Sequence, residues 1–416
     1  MALIVQKYGG TSVADVEKIK RVAERVAAVR SEGNSVIVVV SAMGQMTDEL
    51  VELAHRISDS PDEREFDMLL STGEQVSVAL LAMALHSLGQ QAISFTGGQV
   101  GIRTDSWHTK ARIVSIETDR IQRELDAGKI AIVCGFQGVD SDLEITTLGR
   151  GGSDTSAVAL ATAFKADLCE ICTDVAGVYT ADPRIVPEAR KLPVISYDEL
   201  LEMASLGSRV MHIRAVEFGK KYGVPLRIRS TFSDDPGTLV TKEVASMEKV
   251  AVSGVSLNEN EAKITIVGLP DRPGVAAQIF ETIAEAKIVV DMIIQNVSED
   301  GMSDISFTVP RNDLKRAVKV GEDLQKTLGA KTVRADDKIA KVSAVGVGMR
   351  SHSGVAAKMF KALADAGINI DMISTSEIKI SCVVGAEQGR EALQTLHRAF
   401  ELDKETAAAE EPGNES

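Results

Sequence analysis

The chain has 416 residues, enough for roughly two or three domains, and its 44% hydrophobic and 25% charged content is that of an ordinary soluble globular protein. A net charge of −14 leaves no basic surface to meet phosphates, which excludes nucleic acid as the main partner. The N-terminus turns polar by Gln6 and Lys7, too early for a signal peptide, and no apolar run approaches membrane-spanning length, so no membrane partner is expected.

In chain order, Ala2–Gln6 is a buried strand that ends in Lys7-Tyr8-Gly9-Gly10-Thr11-Ser12. Val13–Ser31 carries Val16, Ile19, Val22, Val26 and Val29 at helical spacing, and Val36–Val40 is an uninterrupted β-branched run of the kind found in parallel strands covered on both faces. Strand, glycine turn, helix, strand is a βαβ unit. Helices are predicted over Thr47–Ser58, Glu63–Leu88, Thr118–Ala127 and Thr155–Lys165, and strands over Ala92–Thr96, Ile130–Gly135 and Leu168–Thr173. Such alternation predicts an α/β fold with a mostly parallel sheet and ligands at the C-terminal strand ends. Lys7, Ser41 and Thr173-Asp174 stand at such ends.

The polar segment Thr238–Glu248 marks a domain boundary. Beyond it an internal repeat runs at an offset of 80: Gly274–Ala277 matches Gly354–Ala357, Phe280 matches Phe360, and Asp291-Met292-Ile293 matches Asp371-Met372-Ile373. Each copy has the pattern of a ferredoxin-like βαββαβ unit. The acidic, Ala-rich tail 403–416 has the composition of a disordered segment. The four cysteines have no framework spacing and fit a reducing cytoplasm. Cys169 and Cys172 form a C-x-x-C inside a strand, without a second pair or a nearby histidine, and are expected to be packing residues. No histidine has a partner at metal-ligand spacing, so no resident metal is expected.

The densest stretch is Thr147-Leu148-Gly149-Arg150-Gly151-Gly152-Ser153-Asp154-Thr155-Ser156. Three glycines free the backbone to approach a ligand, and a helix N-terminus favours phosphate or carboxylate. Arg150 adds a planar donor fork, and Asp154 can orient a cation or a lysine. A Ser/Asp N-cap after a flexible loop has the same pattern. Lys7-Tyr8-Gly9-Gly10 would surround a phosphate with N–H groups and a point charge, though it lacks Walker A spacing; a surface lysine at a strand end is the alternative. In the loop 173–184, Asp174, Tyr179 and Arg184 could hold a base, a ribose and a phosphate, or form an ordinary Asp/Pro turn. Glu74 fits either a grip on a substrate amine or a helix N-terminal carboxylate. Arg209 fits a phosphate contact or a helix-surface cation.

These segments are similar to aspartokinases of the amino acid kinase superfamily: KYGGTSV at Lys7–Val13, VSAM at Val40–Met43, STGEQ at Ser71–Gln75, LGRGGSDT at Leu148–Thr155 and the loop Thr173–Arg184. The C-terminal repeat resembles that family's pair of ACT domains. The resemblance implies a three-layer α/β/α amino acid kinase domain over 1–245, ACT domains over 246–335 and 336–402, and ATP-dependent phosphorylation of the β-carboxylate of L-aspartate, with Mg²⁺ carried by the nucleotide. It implies that Lys7, Arg150, Asp154 and Asp174 are catalytic. Lys7, Tyr8, Gly9, Gly10, Ser41, Thr173, Asp174, Tyr179, Thr180, Asp182, Pro183, Arg184 and Arg209 would line the ATP site. Thr47, Glu74, Arg150, Gly151, Gly152, Ser153 and Asp154 would hold aspartate. Arg209 departs from the lysine usual in the family, which changes the shape and reach of the charge. Effector residues carried over in the same way are Asp271, Gly274, Val275, Ala276, Val290, Asp291 and Gln295 in the first copy, and Val355, Asn369 and Ile370 in the second, the last two on a strand pairing across an interface. The resemblance further implies inhibition by lysine with threonine, with lysine alone or threonine alone as the alternatives, and a homo-oligomer or an α2β2 assembly with a shorter subunit started near Met247. A kinase for another carboxylate and a non-catalytic amino-acid sensor are the competing readings.

Overall fold

The computed structural model describes residues 2–205, 211–242, 251–297, 301–350 and 352–404. Arg209, Met247, Ser351 and the tail from 405 lie outside these. The chain divides into two compact units, the first comprising 1–178 and 191–244, the second 179–190 and 245–416.

The first unit begins β1 (Leu3–Tyr8), α1 (Val16–Ser31), β2 (Ser35–Val40), α2 (Met46–Ile57), α3 (Glu63–Leu70), α4 (Thr72–Ser87) and β3 (Ala92–Phe95). It continues with β4 (Ile102–Thr104), β5 (Ile113–Ile116), α5 (Asp119–Asp126), β6 (Ile130–Cys134), β7 (Gln137–Val139), β8 (Ile145–Thr147), α6 (Gly152–Ala163) and β9 (Leu168–Thr173). It closes with β10 (Val194–Ser196), α7 (Tyr197–Ser205), α8 (Ile213–Tyr222), β11 (Leu226–Ser230) and β12 (Thr238–Thr241). Eight strands form one sheet in the order β10-β12-β11-β9-β1-β2-β6-β3, parallel except between β11 and β12. Val36, Val38 and Val40 face α1 and α4, and α6 covers β1, β2 and β9 from the other side, so both faces of β2 are buried as its β-branched run predicts.

Several predicted boundaries move. Asp15 caps α1 by accepting from the Lys18 N–H, so the helix starts at Val16 and a 3₁₀ turn takes Gly10–Val13. The helix predicted over Glu63–Leu88 is broken at Ser71 into α3 and α4. This 63–87 stretch is long and apolar enough for a membrane span by length and composition, contrary to expectation; half of its most apolar window is buried in the domain, as in a core helix. Thr238–Thr241, assigned to a boundary segment, is strand β12 with Thr238 and Val240 buried.

The second unit contains β13 (Gly254–Asn258), β14 (Glu261–Pro270), α9 (Val275–Glu285), β15 (Ile293–Val297), β16 (Met302–Pro310), α10 (Leu314–Leu328) and β17 (Thr332–Asp336). The second repeat follows as β18 (Ile339–Val345), α11 (Val355–Asp365), β19 (Met372–Thr375), β20 (Lys379–Gly385) and α12 (Gly389–Ala399). The first repeat is a complete βαββαβ unit with sheet order β15-β16-β14-β17. Among the described residues the second has no last strand of its own. Its sheet, β13-β18-β20-β19, is completed by β13, which runs antiparallel to β18 and comes from the chain ahead of the first repeat. Residues 254–258 therefore do not belong with the first copy, as the boundaries 246–335 and 336–402 would have them.

Candidate active site

The first unit gathers its polar side chains at the C-terminal ends of β1, β2, β6 and β9, where an open parallel sheet places a ligand. Two loops interlock there. The Gly44 N–H donates to Gly10 O at 3.0 Å, and a Cβ on Gly10 would lie 2.9 Å from Ala42 O, so only glycine allows the approach. Lys7, near the end of β1, places Nζ 2.6 Å from Asp154 Oδ1 on the first turn of α6. Asp154 Oδ2 accepts from the His212 N–H at 3.3 Å.

The glycine stretch is a turn over 148–151 that runs directly into α6, which starts three residues earlier than predicted. The helix begins at Gly152, its N-cap is Gly151 with φ 71°, and no side chain caps it. Ser153 and Asp154 are thus first-turn residues, and the Ser/Asp N-cap alternative fails. Gly149 and Gly151 both take positive φ and leave exposed Arg150 at the tip between them. A Cβ on Gly151 would meet the His212 ring at 2.1 Å from Cγ, and one on Gly135 would lie 2.7 Å from Ser153 Cβ, so α6 seats against the end of β6.

Glu74 enters from the first turn of α4. It is 3% exposed, its Oε1 accepts from the Ala42 N–H at 3.3 Å, and its Oε2 has no partner. Burial pushes its carboxyl up to about 8, against the pull of its own and the Ala42 N–H groups. A buried carboxylate oxygen without a donor is suited to an incoming cation. Thr47 and Ser41 are half-buried at the start of α2 and the end of β2.

Other expected residues sit differently. Tyr8 is fully buried in the core and its hydroxyl donates to Gln6 at 3.3 Å, so only its backbone is available at the strand end. Thr173 donates to Asp174 at 3.0 Å at the exposed end of β9. Tyr179, Thr180, Asp182, Pro183 and Arg184 belong to the second unit. There Thr180 is buried and its hydroxyl meets His397 Nε2 at 3.0 Å, which removes that side chain from ligand contact. Arg184 is bound to Asp182 through two nitrogens, at 3.0 and 2.7 Å. Cys169 and Cys172 are buried free thiols, raised by burial, and serve packing.

The sequence reading missed the groups that hold this end of the sheet. His212 braces Asp154. Asp67, His108 and Arg214 hold the stem of the glycine stretch. None lies in a motif. The four-strand sheet β5-β4-β7-β8 was missed too, since its strands are only 3–4 residues long.

Residues 2–230 match the amino acid kinase family, and 264–323 with 342–400 match the ACT domain. The aspartokinase of Pseudomonas aeruginosa is 56% identical over 405 residues, covering 97% of this chain and 98% of that one. The chain belongs to the aspartokinases. Among solved structures, E. coli aspartokinase III in complex with aspartate and ADP is 26% identical, with a TM-score of 0.77 over 95% of this chain and 99% of that one. The same E. coli enzyme in complex with lysine and aspartate is 25% identical, with a TM-score of 0.75 over 96% of this chain and 99% of that one. This aspartokinase is thus a phosphotransferase with a carboxyl acceptor, an amino acid kinase unit joined to two ACT domains.

In the ACT unit, Asp271, Gly274, Val275, Ala276 and Gln295 line one cavity of about 380 Å³, together with Arg272 and Ser303. Val290 packs half-buried on the core of the first ACT domain, and Val355 is buried in the core of the second. Asp291 pairs with Lys341, which is buried and also meets Glu261 at 3.1 Å. Asn369 and Ile370 precede β19 instead of lying on a strand; Asn369 donates to Asp371 at 3.4 Å and Ile370 packs on the second core.

Proposed function

We propose that this aspartokinase transfers the γ-phosphoryl group of ATP, brought as its Mg²⁺ complex, to the β-carboxylate of L-aspartate, the first step toward lysine, threonine and methionine. The observation that carries the reading is the Lys7–Asp154 pair set between two glycine turns, with the unpartnered Glu74 oxygen presented from the first turn of α4 behind the residues that follow β2. Lys7, Gly9 and Gly10 would meet the phosphates, with Thr173 and Asp174 on the nucleotide side. Tyr179, Asp182 and Arg184, which the resemblance assigns to the nucleotide, lie in the segment 179–190 of the second unit. Arg150 would take the α-carboxylate as a planar fork, Glu74 the α-ammonium, and Thr47, Ser153 and the N-terminus of α6 the remaining carboxylate. The acceptor is already ionised near neutral pH, so no general base is needed. Positioning and charge neutralisation suffice for phosphoryl transfer, with Lys7 released from Asp154 to follow the transferred charge. Mg²⁺ enters as part of the nucleotide substrate.

Effector amino acids, lysine with threonine, would bind the ACT unit, with Asp271 and Gln295 able to engage an ammonium or a carboxylate in the 380 Å³ cavity. Exposed Ile293 and Val297 on edge strand β15 and Ile373 on edge strand β19 support pairing of ACT units in a homo-oligomer or an α2β2 assembly. ATP turnover with L-aspartate and Mg²⁺, measured alone, with lysine, with threonine and with both, tests the reading. Collapse only with both supports concerted control. No turnover with aspartate, but turnover with another carboxylate, rejects the substrate assignment.

A further inference from the structure

One buried carboxylate ties the stem of the glycine stretch to residues 108–109. Asp67, on α3, has no exposed surface. Its Oδ2 accepts from His108 Nδ1 at 2.9 Å, from the Thr109 N–H at 2.9 Å and from the Thr147 N–H at 3.0 Å. Its Oδ1 accepts from the Thr147 hydroxyl at 2.5 Å. Four donors on two oxygens satisfy a group that would otherwise be costly to bury. The donors come from two separate stretches, 108–109 and the end of β8, so the carboxylate fastens one to the other.

Two more observations show that this fastening shapes the site. Thr109 sits at φ 63°, a conformation that a β-branched residue avoids, and its N–H is one of those held by Asp67. Strain of this kind persists where the surroundings impose it and marks functional positions. The strained Thr109 carbonyl lies 3.0 Å from where a Cβ of Gly149 would be, so it abuts the glycine turn. Arg214 adds a second fastening across the same pair of stretches, donating to Leu148 O at 2.9 Å and to Ala111 O at 2.8 Å. Only the glycine-flanked tip that carries Arg150 lies beyond these two fastenings.

We infer that Asp67, with His108, is a positioning residue for the aspartate half of the reaction: it fixes the stem from which Arg150, Ser153 and Asp154 are presented. The inference rests on the assignment of Arg150 to the substrate. A shift of about an ångström at such a stem costs up to about a hundredfold in the reaction it serves. Because Thr147 Oγ1 can accept as well as donate, asparagine at 67 can keep every contact, with its carbonyl in place of Oδ2 and its amide donating to Thr147 Oγ1.

The experiment is steady-state kinetics in both substrates for Asp67→Ala, Asp67→Asn and His108→Ala, with Arg150→Ala as the reference and a thermal melt for each. The expected result is a rise of roughly ten- to a hundredfold in the aspartate KM of Asp67→Ala, less than about threefold in its ATP KM, and near-complete rescue by Asp67→Asn. If Asp67→Ala does not fold, His108→Ala carries the test with a several-fold rise confined to aspartate. Equal effects on both substrates, or a lower melting temperature with both KM values unchanged, overturn the inference. An Arg150→Ala enzyme with an unchanged aspartate KM overturns the substrate assignment instead.

Discussion

Glu74→Gln separates what the buried carboxylate does for binding from what it does for stability. In the ligand-free protein, burial raises its carboxyl from 4.5 to about 8, and no basic side chain offsets that burial. About a tenth of the protein is then ionised at Glu74 at pH 7 and about nine-tenths at pH 9. If the carboxylate form receives the α-ammonium of aspartate, the aspartate KM falls roughly tenfold between those pH values and levels off above about pH 8. Glutamine retains the acceptor for the Ala42 N–H but cannot carry the charge. Loss of one charge-assisted bond of about 1.5–3 kcal/mol raises KM above pH 8 by roughly ten- to a hundredfold, raises it at pH 7 by at most about tenfold, and removes the pH dependence.

The same shift has the opposite sign for stability. A carboxyl whose pKa is higher in the folded than in the unfolded state favours folding below the unfolded value, and that contribution is lost as pH rises through the folded value. Relative to Glu74→Gln, the wild type therefore loses stability between about pH 4.5 and pH 8. At about 1.36 kcal/mol per pH unit the difference reaches about 3 kcal/mol by pH 7 and about 5 kcal/mol above pH 8, as an upper bound. Aspartate KM from about pH 6.5 to 9, with denaturant unfolding of both proteins over the same range, is the assay. A wild-type aspartate KM that stays flat, or a glutamine variant no more stable than wild type at pH 8, refutes the reasoning.

Three further outcomes are expected. Gly151→Ala forces a Cβ into the His212 ring and into a left-handed backbone, so it should cost more than the roughly 1–2 kcal/mol of the backbone alone and lower kcat by at least about tenfold, as melting and turnover would show. Lys341→Met leaves Glu261 and Asp291 without their buried cation and should destabilise the ACT unit by on the order of 3–5 kcal/mol in denaturant unfolding. Gln295→Ala, in the ACT cavity, should leave uninhibited turnover within about twofold and raise the effector concentration for half-inhibition several-fold, in turnover measured against lysine and threonine.

The sequence reading found what chemistry concentrates in short spans. A glycine-flanked arginine, a lysine before two glycines and a buried β-branched run each announce a local geometry, and Lys7 and Asp154 meet as that reading requires. It found the supports poorly, because they form between residues far apart. Asp67 and Thr147 are 80 positions apart, and nothing in EREFDMLL distinguishes Asp67 from the exposed acids around it. Tyr8 shows the converse error: a motif position was taken as a ligand contact, while strand alternation turns its side chain toward α1 and α4.

The ACT repeat shows the same division between pattern and pairing. Identities at a spacing of 80 reveal two copies, because each must bury the same helix face and carry the same glycine at φ above 90°, Gly274 at 94° and Gly354 at 92°. They cannot reveal that β13 closes the second sheet, since a strand's partner is set by hydrogen bonds along an edge and not by its place in the chain. The consequence is topological. The first ACT domain is inserted between β13 and β18, adjacent strands of the second domain's sheet, so the second sheet cannot be completed without both ends of that insertion. Lys341 on β18 then pairs with Glu261 on β14 and with Asp291 just ahead of β15, which fixes a charge of the second domain between two acids of the first.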